Sequence, residues 1–190
     1  KSTLVDGLVG LYRRAGATVG VLAVDPTSPF TGGAVLGDRV RMRQHYLDEG
    51  VFIRSLATRG VHGGLSPTVM AGIRLLDAFG VDVVIVESVG VGQTELDIVS
   101  VADTVVVVLV PEAGDAVQML KAGLMEIGDV FVVNKADRPG ADRLAAVIGT
   151  EVTHTDAAAW WTPPIVMTQA DRSSGIDHLF GLIRDHRERA

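Results

Sequence analysis

Six consecutive residues, Val81-Asp82-Val83-Val84-Ile85-Val86, are nearly all β-branched and run into Glu87, with Gly90 three positions further on. A strand that is apolar on both faces is a central one, covered above and below by helices. Ligands in such sheets sit beyond the carboxyl ends of the strands, so Glu87 and Gly90 lie where a site would be. Taken alone, the run reads equally well as a core strand that happens to end in a charge. Two other stretches decide between these readings.

The first is Val130-Phe131-Val132-Val133-Asn134-Lys135-Ala136-Asp137, again an apolar strand that stops at a fixed set of polar groups. Asn-Lys-x-Asp is the pattern of guanine-specific nucleotide-binding proteins. The Asp137 carboxylate can accept hydrogen bonds from the ring N–H and exocyclic amine of guanine, which adenine does not offer. Asn134 would brace the loop and reach the base edge, and the aliphatic stem of Lys135 would lie along the ring. Asn, Lys and Asp are ordinary loop formers, so the tetrapeptide gains its weight from following a buried strand.

The second stretch is Lys1-Ser2-Thr3-Leu4-Val5, which opens without methionine and runs straight into an amphipathic helix. Lys-Ser/Thr before a helix is the tail of a phosphate-binding P-loop, where the lysine reaches the β- and γ-phosphates and the hydroxyl ligates magnesium. The glycine-rich half of that motif is missing, so the chain is expected to be cut inside it. Lys1, Ser2 and Thr3 remain, together with a helix N-terminus that favours anions.

Val19 to Val24 form another buried strand, ending at Asp25-Pro26. Asp25 is assigned to the magnesium shell, against the alternative of a turn aspartate before proline. Residues 25 to 38 are rich in Pro, Thr, Ser and Gly, as expected of a loop ordered by nucleotide, and Asp38 closes it as the cap of the next helix. Gly90 offers a backbone N–H to the γ-phosphate, and the longer carboxylate of Glu87 favours magnesium through water. In Ras-like proteins the water-positioning glutamine follows that glycine directly. Here Val91 does, and Gln93 is displaced by two residues, so intrinsic hydrolysis is expected to be slow.

These pieces resemble the MeaB/ArgK family of P-loop GTPases, chaperones of adenosylcobalamin-dependent methylmalonyl-CoA mutases. The likeness rests on Val24 to Ser28, Gly32 to Met42, Glu87 to Gln93 and Asn134 to Asp137, and it runs through nearly the whole chain. It implies a GTP/GDP- and Mg2+-dependent hydrolase whose client is methylmalonyl-CoA mutase or a related mutase. It places the aspartate matching Asp38 near the metal. It also makes Gln118 and Lys121 part of a nucleotide-responsive switch, although the residues alone read as solvated surface. Gln169-Ala170 occupy the place where GTPases set a backbone N–H against the guanine carbonyl. Family members carry an N-terminal helical extension and a C-terminal dimerisation arm, both absent from these residues, so a homodimer is expected of the full-length protein. The expected location is the cytoplasm, or the mitochondrial matrix in a eukaryote.

The candidate catalytic set is therefore Lys1, Glu87, Gly90, Gln93 and Lys121. The nucleotide-binding set is Lys1, Ser2, Thr3, Asn134, Lys135, Asp137, Gln169 and Ala170. The metal set is Ser2, Asp25, Asp38 and Glu87.

Composition narrows the classes further. The 190 residues suit one domain, here a GTPase domain spanning 1–190. The hydrophobic fraction is 47%, yet no apolar run approaches the roughly 18 residues of a spanning helix, so no membrane association is expected. Net charge is -6 with no basic stripe, which argues against nucleic acid. Alternating strands and helices predict an α/β, three-layer P-loop NTPase fold with a mainly parallel central sheet.

Among the helices, 2 to 14 ends at Gly16, one starts at Ser66-Pro67 with Val69, Ile73, Leu76 and Phe79 inward, and one runs from 140 to 161 through Trp160-Trp161. His178 and His186 sit on a charged closing helix and read as solvated. Three rivals stand beside the GTPase: a nickel-inserting GTPase, disfavoured by the absence of Cys, an ArgK-type protein kinase of a transport system, and a non-catalytic guanine-nucleotide-binding regulator.

Overall fold

The helix expected at the start of the chain spans Ser2–Arg14 (α1), with Ser2, Leu4, Val5, Leu8 and Val9 buried along one stripe. Arg13 and Arg14 in its last turn complement the helix dipole. Gly16, at φ +85°, turns the chain into the first strand. A computed structural model describes residues 1–25, 42–57, 67–88, 98–112, 123–152 and 160–190.

The remaining helices and strands follow in order. They are β1 (Val19–Asp25), β2 (Val51–Ala57), α2 (Pro67–Ala78), β3 (Val83–Glu87), β4 (Val106–Leu109), the short α3 (Leu124–Ile127), β5 (Val130–Asn134), α4 (Ala141–Val152), β6 (Ile165–Thr168) and α5 (Ile176–Arg189). The chain divides into two units, Lys1–Glu95 and Leu96–Ala190.

The first unit holds a parallel sheet in the order β2-β1-β3. Side chains alternate across a strand, so β1 serves two faces. Val19 and Val21 pack with Val5, Val9 and the fully buried Met42 on one side. Gly20 and Leu22 face α2, where Leu76 comes close enough that a Cβ on Gly20 would lie 2.6 Å from its Cδ1. This gives helix, sheet and helix in three layers. Within this unit β1, not β3, is the middle strand, and all five residues of β3 are only half-buried. Phe79 does not extend the buried stripe of α2. The helix ends at Ala78, and Phe79 stands 83% exposed before Gly80.

An ion pair ties the end of α1 to the loop before β2. Arg13 donates from Nε and NH2 to the two Asp48 oxygens, each at 2.9 Å, and from NH1 to the Ala17 carbonyl. The Arg13 hydrogen bond, helped by the Gly50 N–H, holds the Asp48 carboxyl below the ordinary carboxylate range. A depressed carboxylate stabilises the fold above its unfolded pKa and loses that contribution as pH falls through the folded value. The stability difference between the protein and Asp48→Asn is therefore expected to hold constant from about pH 8 to about pH 5 and to shrink below about pH 4. Paired urea titrations across that range measure it.

The second unit holds a parallel sheet in the order β4-β5-β6. Its middle strand β5 is buried at every residue. Phe131 and Val133 join Leu144, Ile148 and Val152 of α4 in one core cluster with Val107 and Leu109. Alternation leaves Val130 and Val132 to the opposite face, where α5 packs on β5 and β6 through its buried side.

Two expectations about this unit are corrected. The helix predicted over 140–161 is described over Ala141–Val152, residues 153–159 lie outside the described residues, and Trp160 and Trp161 stand in non-helical chain. His186 is 2% exposed rather than solvated. It shares a hydrogen bond with Thr104 Oγ1 at 2.9 Å, has Nε2 3.3 Å from Asp129 Oδ1, and stacks against Trp160 with Trp161 at its edge. Asp129 also accepts from the Val105 N–H, and its carbonyl accepts from Trp161 Nε1 at 2.7 Å. One histidine thus joins the segments that lead into β4, β5 and β6.

Gly175 starts α5 at φ +76°, and a Cβ there would meet the Met167 carbonyl oxygen at 2.3 Å. Neither the dihedral nor the strand backbone can yield cheaply. Gly175→Ala is expected to cost about 2 to 4 kcal/mol, read as a lowered urea midpoint. A loss below about 0.5 kcal/mol would contradict this packing. Among the described residues no helix is long and apolar enough to cross a membrane.

Candidate functional site

In the first unit the candidate groups gather at the carboxyl edge of the sheet. The parallel register sets Asp25 beside Ala57 and Ala23 beside Glu87, so β1, β2 and β3 finish together. The N-terminus of α1 is brought to the same edge, because Ser2 Oγ donates to Glu87 Oε1 at 3.0 Å across 85 residues of sequence. Ser2 is 3% exposed. Lys1 occupies the N-cap position, its carbonyl accepting from the Leu4 and Val5 amides. Lys1 and Thr3 are exposed. The unpaired N–H groups of a helix's first turn point at whatever lies before it, and with the dipole they attract anions.

Asp25 is placed as the last residue of β1. Asp38, Gly90, Gln93 and Lys121 lie outside the described residues, as does Gln118. Among the described residues no group of three or more His, Asp or Glu side chains is arranged to hold a metal ion. The Ser2 hydroxyl beside the Glu87 carboxylate is nevertheless a pair of hard oxygen donors, the chemistry that magnesium prefers.

In the second unit the Asn-Lys-x-Asp segment begins where β5 ends. Asn134 is 7% exposed, and its Oδ1 accepts from Thr168 Oγ1 at 3.1 Å and from the Ala170 N–H at 3.2 Å. The Ala136 N–H donates to the Thr168 carbonyl. Asn134 therefore fastens the loop after β5 to the loop after β6, the bracing role read from sequence.

Lys135 adopts φ +59°, a left-handed conformation that is costly for a residue with a Cβ and that clusters at functional sites. Its ammonium donates to Glu112 Oε2 at 3.0 Å, and Arg138 NH1 donates to Glu112 Oε1 at 2.6 Å. The Lys135 hydrogen bond, with the charge of Arg138, keeps the Glu112 carboxyl below its ordinary range. Asp137 is half exposed, with Oδ2 3.7 Å from Arg138 Nε.

Gln169 and Ala170 stand opposite, at the end of β6. Their amides have partners within the chain: Gln169 N–H donates to the Ser174 carbonyl, and Ala170 N–H to Asn134. Sequence reasoning missed Glu112. Its signal was indirect, a lone carboxylate just past one apolar strand and two cations just past the next.

Two solved HypB structures share the fold. One, from Helicobacter pylori in complex with nickel, has a TM-score of 0.63 at 18% identity, covering 98% of this chain and 81% of that one. The other, a hydrogenase maturation factor from Archaeoglobus fulgidus, has a TM-score of 0.68 at 17% identity, covering 98% and 83%. They show an α/β fold, with parallel strands flanked by helices, as predicted.

Among curated proteins, one from Pyrococcus abyssi with a provisional GTPase name is 54% identical over 99% of this chain and 59% of its own length. GTPase ArgK of Escherichia coli is 36% identical over 97% of this chain and 57% of its own. The mitochondrial methylmalonic aciduria type A homolog of Mus musculus is 31% identical over 97% and 46%. The chain thus spans about half to six tenths of the length of these relatives. A family model described as Methylmalonyl Co-A mutase-associated GTPase MeaB matches residues 1–190, and the chain belongs to that family.

Proposed function

We propose that these 190 residues form one GTPase domain. In the full chain it hydrolyses GTP to GDP and phosphate, and it uses the difference between nucleotide states to load and protect an adenosylcobalamin-dependent mutase. The observation that carries the reading is the Asn134 brace, which holds a left-handed Lys135 and the following Asp137 at the end of a fully buried strand. That arrangement presents a carboxylate to the two N–H groups that distinguish guanine from adenine. The stem of Lys135 would cover one face of the ring, with the Gln169-Ala170 backbone beside the guanine carbonyl.

Lys1, Ser2 and Thr3, at the anion-favouring start of α1, would receive the phosphates. Ser2 and Glu87 are the groups that would hold magnesium, with Asp25 and Asp38 completing its surroundings. Bound there, the ion would spread the charge that develops on the phosphates. Gly90 would meet the γ-phosphate, Gln93 would orient the attacking water, and Lys121 would report the nucleotide state to the partner. Because Gln93 stands two residues past its Ras-like place, turnover is slow until a partner rearranges the site. The family description supports methylmalonyl-CoA mutase or a related enzyme as that partner. The proposed assembly of the full-length protein is a homodimer, in the cytoplasm or, in a eukaryote, the mitochondrial matrix, without nucleic-acid or membrane partners.

Calorimetric titration of the full chain with GDP and ADP, with and without magnesium, tests this reading. GDP is expected to bind at least about a hundredfold more tightly than ADP, and Ser2→Ala to abolish most of the magnesium dependence. Equal affinity for both nucleotides would remove the base-recognition assignment. Unchanged magnesium dependence in Ser2→Ala would remove the metal assignment.

A further inference from the structure

We propose that Glu112 is a positioning residue for guanine recognition, which draws Arg138 away from Asp137 and so leaves that carboxylate to the base. The proposal rests on the assignment of Asp137 as the base reader. Leu109 pairs with Val133, so the residues after β4 and after β5 leave adjacent strand ends. Glu112 uses both oxygens there: Oε2 accepts from Lys135 and Oε1 from Arg138 NH1 at 2.6 Å. Arg138 Nε stays 3.7 Å from Asp137 Oδ2, inside ion-pair range but beyond a hydrogen bond.

Arginine carries a rigid fork of donors well matched to a carboxylate. A second carboxylate within ion-pair range of Arg138 is that of Asp137. A guanidinium seated on Asp137 would occupy the lone pairs that guanine needs. Glu112 therefore acts through its neighbour and touches no nucleotide in this account. It also anchors Lys135, whose left-handed backbone needs support from outside the loop.

All three side chains are about half exposed, at 44%, 47% and 51% for Glu112, Lys135 and Arg138. Water and salt screen such pairs, so the effect is modest and dependent on ionic strength. Glu112→Ala is expected to raise the dissociation constant for GDP roughly threefold to tenfold at low salt, with kcat for GTP unchanged and KM raised. Near 1 M salt, where the Debye length is about 3 Å, most of the difference should vanish. Adding Arg138→Ala to Glu112→Ala removes the competitor and is expected to restore most of the affinity.

Calorimetry with GDP on the full chain and the two variants decides the matter, with circular dichroism establishing that each is folded. A double variant as weak as Glu112→Ala would overturn the proposal, as would a single variant that binds like the parent. A parent protein that binds GDP and ADP equally would overturn the base-reader assignment and this proposal with it. Selective binding in the parent with no effect of Glu112→Ala would overturn this proposal alone.

Discussion

Asp137→Asn is expected to move the protein's preference from GTP to xanthosine triphosphate, weakening GTP binding by about a hundredfold or more. In the proposed reading the carboxylate would accept from the guanine ring N–H and exocyclic amine, and an amide in its place would turn one acceptor into a donor facing a donor. Xanthine carries a carbonyl where guanine carries the amine, so the same amide has a partner there. Asp137 is half exposed and its nearest cation, Arg138, is 3.7 Å away, so the substitution removes no buried support from the fold. Competition titrations with the two triphosphates measure the exchange. A variant that loses both, or keeps its preference for GTP, would place base recognition elsewhere.

Asn134→Ala is expected to damage stability and binding together. Asn134 Oδ1 is a shared acceptor for a buried hydroxyl and a buried amide, on Thr168 and Ala170, which are 1% and 8% exposed. Truncation leaves both donors without that acceptor, and a buried unsatisfied polar group costs about 1 to 3 kcal/mol. The expected loss is about 2 to 4 kcal/mol in urea unfolding, with GDP affinity falling as the left-handed Lys135 loses its anchor. Thr168→Val, which removes one donor and leaves the acceptor its second partner, should cost clearly less. Equal losses in the two variants would mean that Asn134 is not the hub.

Much of this architecture could be read from the chain itself. The β5 run is uninterrupted in β-branched and aromatic residues, and its burial at every position follows from that pattern. The first helix appears at Ser2–Arg14 because its apolar spacing and the glycine after it agree. The brace at Asn134 was legible because a polar side chain closing a buried strand must find partners in the neighbouring chain. What periodicity cannot report is convergence from distant segments. His186 shares α5 with Asp185, Arg187, Glu188 and Arg189 and reads as surface, yet Thr104, Asp129 and two tryptophans from other segments enclose it. The Glu112–Arg138 contact is invisible for the same reason, since parallel strands bring together ends that are far apart in sequence, whereas Ser2 and Glu87 already stand in one candidate metal set.

Phe79 and the tryptophans carry a related lesson about boundaries. An apolar residue at helical spacing is buried only while the helix continues, and α2 stops one residue before Phe79. The helix predicted over 140–161 likewise does not include the tryptophans. Trp160 and Trp161 instead serve contacts with His186 and the Asp129 carbonyl.

Steady-state hydrolysis of GTP and ATP by the full chain with magnesium, alone and with methylmalonyl-CoA mutase added, separates a guanine-specific, partner-gated hydrolase from its rivals. Slow turnover of GTP, none of ATP, and strong acceleration by the mutase are expected. Hydrolysis of both nucleotides at similar rates, or of neither with the mutase present, would contradict the proposed function.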